Sequence, residues 1–355
     1  MKIEIFKMER MQSLWENVVD YNLSESGVHP LSLKDFLQPA ELEELSRVEI
    51  GYTQTNGTPP LRENIAQLYP GVDPEQIMVT AGSSEANFLL MWSLLEPGDE
   101  IVFELPNYMQ MWGLSRSFGA RVRPLWLRPE LGWQPDPDDL RKTVNGNTKI
   151  IILTNPNNPT GAILNQEIRE EIIRQAERVG AWLLVDEVYR GAERNGVETP
   201  SFWGTYDRVV VVAGLSKAYG LPGLRLGWLV GPVELVKKVW TYHDYTTISV
   251  SALTDYLATK VLEPERRPQI LKRTRTILNN NLPVLEAWLN SFEGLFDYQP
   301  PQAGAILFAR YNLQINSTEL VERILKEKSV LLVPGDHFEL DGYLRFGYGS
   351  SQDYL

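Results

Sequence analysis

The chain has no cysteine and only three histidines, His29, His243 and His337, among its 355 residues. It therefore has neither a disulfide framework nor a thiol nucleophile, and three imidazoles so far apart in sequence make no metal-binding motif. Positive charge is also in deficit. Lys and Arg number 34 against 46 Asp and Glu, a formal net charge of −12, and the basic residues are scattered rather than striped. Such a surface repels polyanions, so no nucleic-acid partner is expected. Long apolar runs are missing as well: none reaches the length that spans a bilayer, and the first ten residues already contain Glu4 and Glu9. No membrane partner is expected, and a cytoplasmic enzyme is the simplest expectation.

What is present has the balance of a globular protein, with 43% hydrophobic and 23% charged residues and no low-complexity tract. The length exceeds an ordinary single domain, which predicts one large unit and a smaller one. Ile150-Ile151-Ile152-Leu153, Trp182-Leu183-Leu184-Val185 and Val209-Val210-Val211-Val212 lack polar alternation, as parallel strands covered on both faces do. Between the first two runs, Ile168, Ile172, Ala176 and Val179 recur at helical spacing, with Asn165 suited to cap the start and Gly180 to end it. Similar units fall around Ile77–Thr80, Ile101–Glu104 and Leu226–Val230. The expected fold class is α/β, with a mainly parallel central sheet over roughly residues 45–250 and ligands at the C-terminal ends of its strands. From Ser251 to about Leu289 the pattern is helical, broken near Pro264 and Pro268, and strand-like Ala305–Phe308 and Tyr343–Phe346 follow. These suit a smaller α/β domain.

Several segments stand where ligands belong. Ala81-Gly82-Ser83-Ser84 turns a strand into a helix, whose free amides and partial positive charge suit an anion, with two hydroxyls as further donors. Tyr108 lies just beyond the next strand, and Asn155-Pro156-Asn157-Asn158-Pro159-Thr160-Gly161 follows Ile151–Thr154. Asp186-Glu187-Val188-Tyr189 closes the strand Trp182–Val185. In Gly214-Leu215-Ser216-Lys217-Ala218-Tyr219-Gly220 one lysine occupies a small-residue turn, and Arg225 comes eight positions later. An amine can hold an aldehyde reversibly, and a guanidinium fork matches a phosphate. Arg345 sits among Tyr343, Leu344 and Phe346, where a guanidinium needs an anionic partner. No strand is followed by Gly-x-Gly-x-x-Gly, which disfavours a nicotinamide enzyme.

In order and spacing, from about Ser24 to Arg345, these segments resemble the class I/II aminotransferases of fold type I, which use pyridoxal 5′-phosphate (PLP). The resemblance implies that Lys217 forms the Schiff base with the cofactor and, once released, shuttles a proton between the substrate Cα and the cofactor; a lowered pKa would suit that role. It implies that Gly82, Ser83, Ser84, Ser216 and Arg225 hold the phosphate and that Tyr108 stacks on the pyridine ring. Asn158 and Tyr189 would donate to the phenolic oxygen, and Asp186 would pair with the pyridine nitrogen. Arg345 would grip the substrate carboxylate, with Asn158 beside it, and Ser24-Glu25-Ser26-Gly27 would close over the substrate, Gly27 touching it. Tyr52 would reach the phosphate of a neighbouring subunit, which implies a homodimer. Residues 1–31 would join the small domain of residues 251–355, leaving 32–250 as the PLP-binding domain.

Two departures stand out. Gly214 replaces the Ser or Thr that the family usually carries three positions before the lysine, so Ser216 is expected to substitute. The family continues into a last amphipathic helix where the residues here stop at Tyr354-Leu355, which leaves the small domain short or the sequence trimmed. The expected activity is transfer of an α-amino group from an amino acid to a 2-oxo acid. The alternative is a β-eliminating or cyclising enzyme acting on an arginine-like amino acid, because Ser26-Gly27-Val28-His29, Gly82-Ser83-Ser84-Glu85-Ala86, Leu127-Arg128-Pro129-Glu130 and Asp244-Tyr245 resemble capreomycidine synthase-like members. A non-catalytic sensor fused to a DNA-binding module is disfavoured, since Lys217 is intact and few residues precede Ser24. Asp244, in a stretch without Arg or Lys, predicts a preference for basic over acidic substrates.

Overall fold

Residues Val209 to Val212 are fully buried, as are Ile150 to Leu153, because each run is an interior strand with side chains packed on both faces. In the computed structural model, which describes residues 2–355, the strands in chain order begin with β1 (Tyr21–Asn22), β2 (Ile77–Thr80), β3 (Glu100–Leu105), β4 (Arg121–Arg128) and β5 (Gln134–Pro135). Next come β6 (Thr148–Thr154), β7 (Trp182–Asp186), β8 (Val209–Gly214) and β9 (Gly227–Val230). The last are β10 (Phe296–Tyr298), β11 (Ile306–Tyr311), β12 (Val330–Leu331), β13 (Val333–Pro334) and β14 (Tyr343–Gly347). An eight-stranded sheet has the order β2-β9-β8-β7-β6-β3-β4-β5. Its centre, β8-β7-β6-β3-β4, is parallel throughout.

The segment around Leu226–Val230 does not follow that pattern. β9 runs antiparallel to both β8 and β2, because the link from Gly214 to Gly227 contains only the short turn Pro222–Leu224 and no crossover helix. A parallel neighbour needs such a crossover. The reversal matters for function: Gly227, at the start of β9, lies beside both Gly214, the last residue of β8, and Thr80, the last of β2. The strand β4, flanked on its outer side only by the two-residue β5, was not legible either. Its Arg-Val-Arg-Pro start is charged and partly exposed, and only Leu125 and Leu127 are buried.

The helix Gln166–Val179 forms where its periodicity predicts. Asn165 Oδ1 accepts from the Ile168 amide at 2.9 Å, and Gly180 ends the helix at φ 69°, a left-handed conformation that glycine adopts without steric cost. Beyond the large sheet, the helices Ala252–Val261 and Arg267–Asn290 are separated around Pro264, and Pro268 sits in the first turn of the second. A four-stranded antiparallel sheet, β10-β11-β14-β13, follows, while β1 pairs in parallel with β12. The N-terminal helix Lys7–Trp15 bridges the two regions: Met8 packs among Leu127, Trp133, Phe308 and Phe338. No helix of the described residues is long and apolar enough to cross a membrane.

Candidate active site

Register gathers the site. Thr154, Asp186 and Val212 are direct neighbours across β6, β7 and β8, so the loops leaving these parallel strands open at one edge. They line a cavity of about 310 Å³ with Tyr108, Asn158, Asp186, Tyr189, Ser216 and Lys217 on its wall. Ser83, Ser84 and Arg225 line it too, brought there by the antiparallel β9.

Lys217 Nζ donates to Glu25 Oε1 at 3.0 Å. Burial alone would lower the lysine pKa, but the Glu25 carboxylate and Tyr189 outweigh it and raise it. The lowered value expected from a low-dielectric site is thus corrected for the protein by itself: the site carries a counter-ion. Glu25 in turn is held down at about 2, chiefly by the Lys217 charge.

Around Gly82 the backbone adopts φ 85°, ψ 162°, and a Cβ there would overlap the Arg225 guanidinium. Arg225 reaches Ser216 Oγ at 3.4 Å and the Pro222 carbonyl at 3.1 Å, with no carboxylate partner among the described residues. Ser83 opens the helix Ser83–Leu94, so its free amides face the same space. Gly214 has a structural cause. A Cβ at that position would stand 2.9 Å from the Leu226 carbonyl and 3.3 Å from Gly227 Cα, so the tight β8/β9 pairing has no room for the family's hydroxyl residue.

Asp186 is 4% exposed. Burial lifts its carboxyl to about 6 against the pull of the Val188 amide, Asn87 and Lys217. Asn158 Oδ1 accepts from Arg345 Nη1 at 2.9 Å, which leaves the amide nitrogen of Asn158 to donate elsewhere. Arg345 also donates to the Ser24 carbonyl and stands over the Phe338 ring at 5.5 Å. Its partners are two neutral oxygens and the Met8 sulfur rather than the anion expected from sequence, and its Nε has none. Tyr108 donates to Glu9 Oε1 at 2.9 Å and meets Phe6 edge-on at 5.0 Å. Gly27 lies against the lysine turn, where a Cβ would come 3.2 Å from the Ser216 carbonyl.

Residues 23–355 match the family described as aminotransferase class I and II. The chain belongs to this family. It is 35% identical to capreomycidine synthase of Streptomyces vinaceus, over 92% of this chain and 85% of that protein. Identity to the aspartate/prephenate aminotransferase of Thermus thermophilus is 28%, over 96% and 91%. Among solved structures, a PLP-dependent aminotransferase from Streptococcus suis superposes with a TM-score of 0.93 at 34% identity, covering 100% of this chain and 95% of that one. The PLP-dependent cyclase OrfR gives 0.90 at 26%, covering 99% and 94%. The fold is PLP fold type I, and the cofactor of the family is pyridoxal 5′-phosphate.

The residues present fit that cofactor. A guanidinium without a carboxylate, a helix start and three serine hydroxyls make a phosphate cradle that a Cβ at Gly82 would fill, and a buried carboxylate waits at Asp186. Not every residue selected from sequence joins this set. Tyr52 is 84% exposed and stands outside the cavity, and Asp244, exposed at the end of the helix Val233–His243, does not line it either. Sequence reading passed over Glu9, Gln12 and Glu16, which the N-terminal helix and its end bring to the cavity. The inward spacing of Met8 and Gln12 was their one local signal. It also passed over Asn87, fully buried with Nδ2 3.5 Å from Asp186 Oδ2.

Proposed function

We propose that this enzyme transfers the α-amino group of an amino acid to a 2-oxo acid, with Lys217 as the lysine that holds the cofactor and moves the proton at the substrate Cα. The observation that carries this reading is the single cavity in which a half-buried lysine, a buried aspartate and an anion cradle converge. Bound there, PLP supplies an aldehyde that takes the amino group and a ring that draws electrons from Cα. Gly82, Ser83, Ser84, Ser216 and Arg225 hold its phosphate; Asp186 keeps the ring nitrogen protonated; Asn158 and Tyr189 donate to the phenolic oxygen; Tyr108 covers the ring. Arg345, with Asn158 against it, receives the substrate carboxylate, and Gly27 brings the backbone of its loop over the reacting atoms.

Glu9, Glu16 and Glu25 line the cavity, where Lys217 is the one lysine among the described residues. Burial and the neighbouring Glu25 and Glu9 raise the Glu16 pKa, so the carboxylates are close enough to repel one another. A basic side chain relieves that repulsion and an acidic one adds to it, which replaces Asp244 as the reason to expect arginine or lysine to be preferred over aspartate or glutamate. The same surroundings, with 35% identity to capreomycidine synthase, favour a second reading: elimination or cyclisation of an arginine-like amino acid. We read residues 32–250 as the PLP-binding domain and 251–355 with 1–31 as the smaller one. The enzyme is read as a cytoplasmic homodimer, in which the exposed Ile50, Tyr52 and Tyr245 are covered by a second copy and Tyr52 reaches its site.

The deciding experiment incubates the PLP-loaded enzyme with arginine, lysine, aspartate and glutamate, with and without a 2-oxo acid. Transfer gives a new 2-oxo acid in proportion to amino acid consumed. Ammonia or a cyclic product without amino exchange selects the second reading, and faster turnover of the two acids rejects the basic preference.

A further inference from the structure

Glu25 lies in the loop before Gly27, and backbone amides hold one oxygen of its half-exposed carboxylate. Its Oε1 accepts from the Ser26 and Gly27 amides, each at 2.8 Å, and from Lys217 Nζ at 3.0 Å. The loop is fastened to the end of β14 at both ends: Gly347 donates to the Leu23 carbonyl and His29 to the Gly349 carbonyl, each at 2.7 Å. A Cβ at Gly347 would overlap the Glu25 carbonyl, and one at Gly349 the Gly27 carbonyl. The loop backbone is thus fixed, and two of its amides hold Oε1 beside the lysine. Lys217 Nζ, for its part, makes no other hydrogen bond among the described residues.

An amine must be neutral to attack an aldehyde, so whatever stabilises its ammonium form delays that attack. The charged and titratable groups facing Lys217 come from several elements. Asp186 and Tyr189 stand at the end of β7, Glu9 and Glu16 on the N-terminal helix and its end and Arg225 ahead of β9, all on the cavity wall, while Arg345 on β14 acts on the lysine from behind it. Of these, none but Glu25 touches Nζ. The two arginines act against the ammonium, and the carboxylates other than Glu25 act only through space.

We propose that Glu25 is the positioning residue of Lys217: it holds the free amine as an ammonium aimed into the cavity and thereby sets the pH at which the lysine captures an aldehyde. This rests on Lys217 being the cofactor lysine. The raised lysine pKa and the low value at Glu25 agree with the geometry. Loading with cofactor must break the pair, after which Glu25 keeps only its two amide donors.

The test uses the cofactor-free protein and Glu25→Gln, whose amide oxygen can still accept from Ser26 and Gly27. First, Lys217 is dimethylated with ¹³C-formaldehyde, assigned through Lys217→Arg and titrated by NMR. The midpoint is expected to fall by about one unit or more when the charge is removed; equal midpoints overturn the proposal. Second, capture of PLP near neutral pH, trapped with borohydride and located by mass spectrometry, is expected to quicken roughly tenfold in Glu25→Gln, since one pKa unit changes the neutral fraction tenfold. Slower capture with an unchanged midpoint overturns it as well. A shifted midpoint with no capture at Lys217 in either protein supports the Glu25 assignment and refutes the role of Lys217 in cofactor binding.

Discussion

Replacing Gly82 with alanine tests the phosphate cradle without removing any side chain that contacts the cofactor. The backbone at Gly82, φ 85° and ψ 162°, lies in a region almost confined to glycine, where another residue costs about 1–3 kcal/mol. The added methyl would also overlap the Arg225 guanidinium. Arg225 is anchored by nothing stronger than contacts of 3.4 Å to Ser216 Oγ and 3.1 Å to the Pro222 carbonyl, so it swings aside at little expense to the fold. What is lost is its aim at the phosphate, a charge-assisted bond worth about 1.5–3 kcal/mol. At about 1.4 kcal/mol per factor of ten, the PLP dissociation constant should rise roughly 10- to 100-fold, while the Tm of the cofactor-free protein falls by only a few degrees. Titration of cofactor-free protein with PLP, followed by visible absorbance, measures the first, and a thermal melt the second. In an Arg225→Ala background the Gly82→Ala effect on affinity should largely vanish, because both changes remove the same contact. An unchanged affinity, or an undiminished effect without Arg225, refutes the reasoning.

Lys217→Ala should leave a folded protein that forms no covalent complex with PLP and does not turn over; normal visible absorbance and activity would remove Lys217 from its role. Asp186→Asn should lose most of the chemistry at Cα while still binding PLP, read by single-turnover rates. It should also raise the Tm of the cofactor-free protein. The folded pKa of about 6 exceeds the ordinary aspartate value, so the native state holds the proton more tightly and this residue's contribution to stability falls as pH rises from about 4 to about 6. The gain from Asn should thus be fully present above about pH 6 and fade toward pH 4; a gain independent of pH would refute the linkage. Asn165→Ala removes the cap on the Ile168 amide and should cost about 1 kcal/mol by denaturant unfolding without changing PLP affinity.

The sequence by itself determined the residues that a single strand or turn can present. Apolar runs without alternation mark interior strands because burial on both faces leaves no place for polar side chains, and Asn165 and Gly180 bracket a helix because capping is a local matter. Lys217, Asp186 and Asn158 were legible for a related reason: each closes or follows one such strand, and parallel strands deliver their ends to one edge. Tertiary structure alone decided what comes from elsewhere in the chain. The antiparallel course of β9 brings Arg225 beside Gly82, and its tight pairing with β8 leaves room only for glycine at position 214. The N-terminal helix carries Glu9, Gln12 and Glu16 to a cavity whose wall extends from Ser83 to Arg225. Glu25 meets Lys217 across 192 positions. Such a pair leaves no trace in local pattern, yet together with Tyr189 it reverses the direction in which burial alone would move the lysine, because the two neighbours in sum outweigh the loss of water around a single charge.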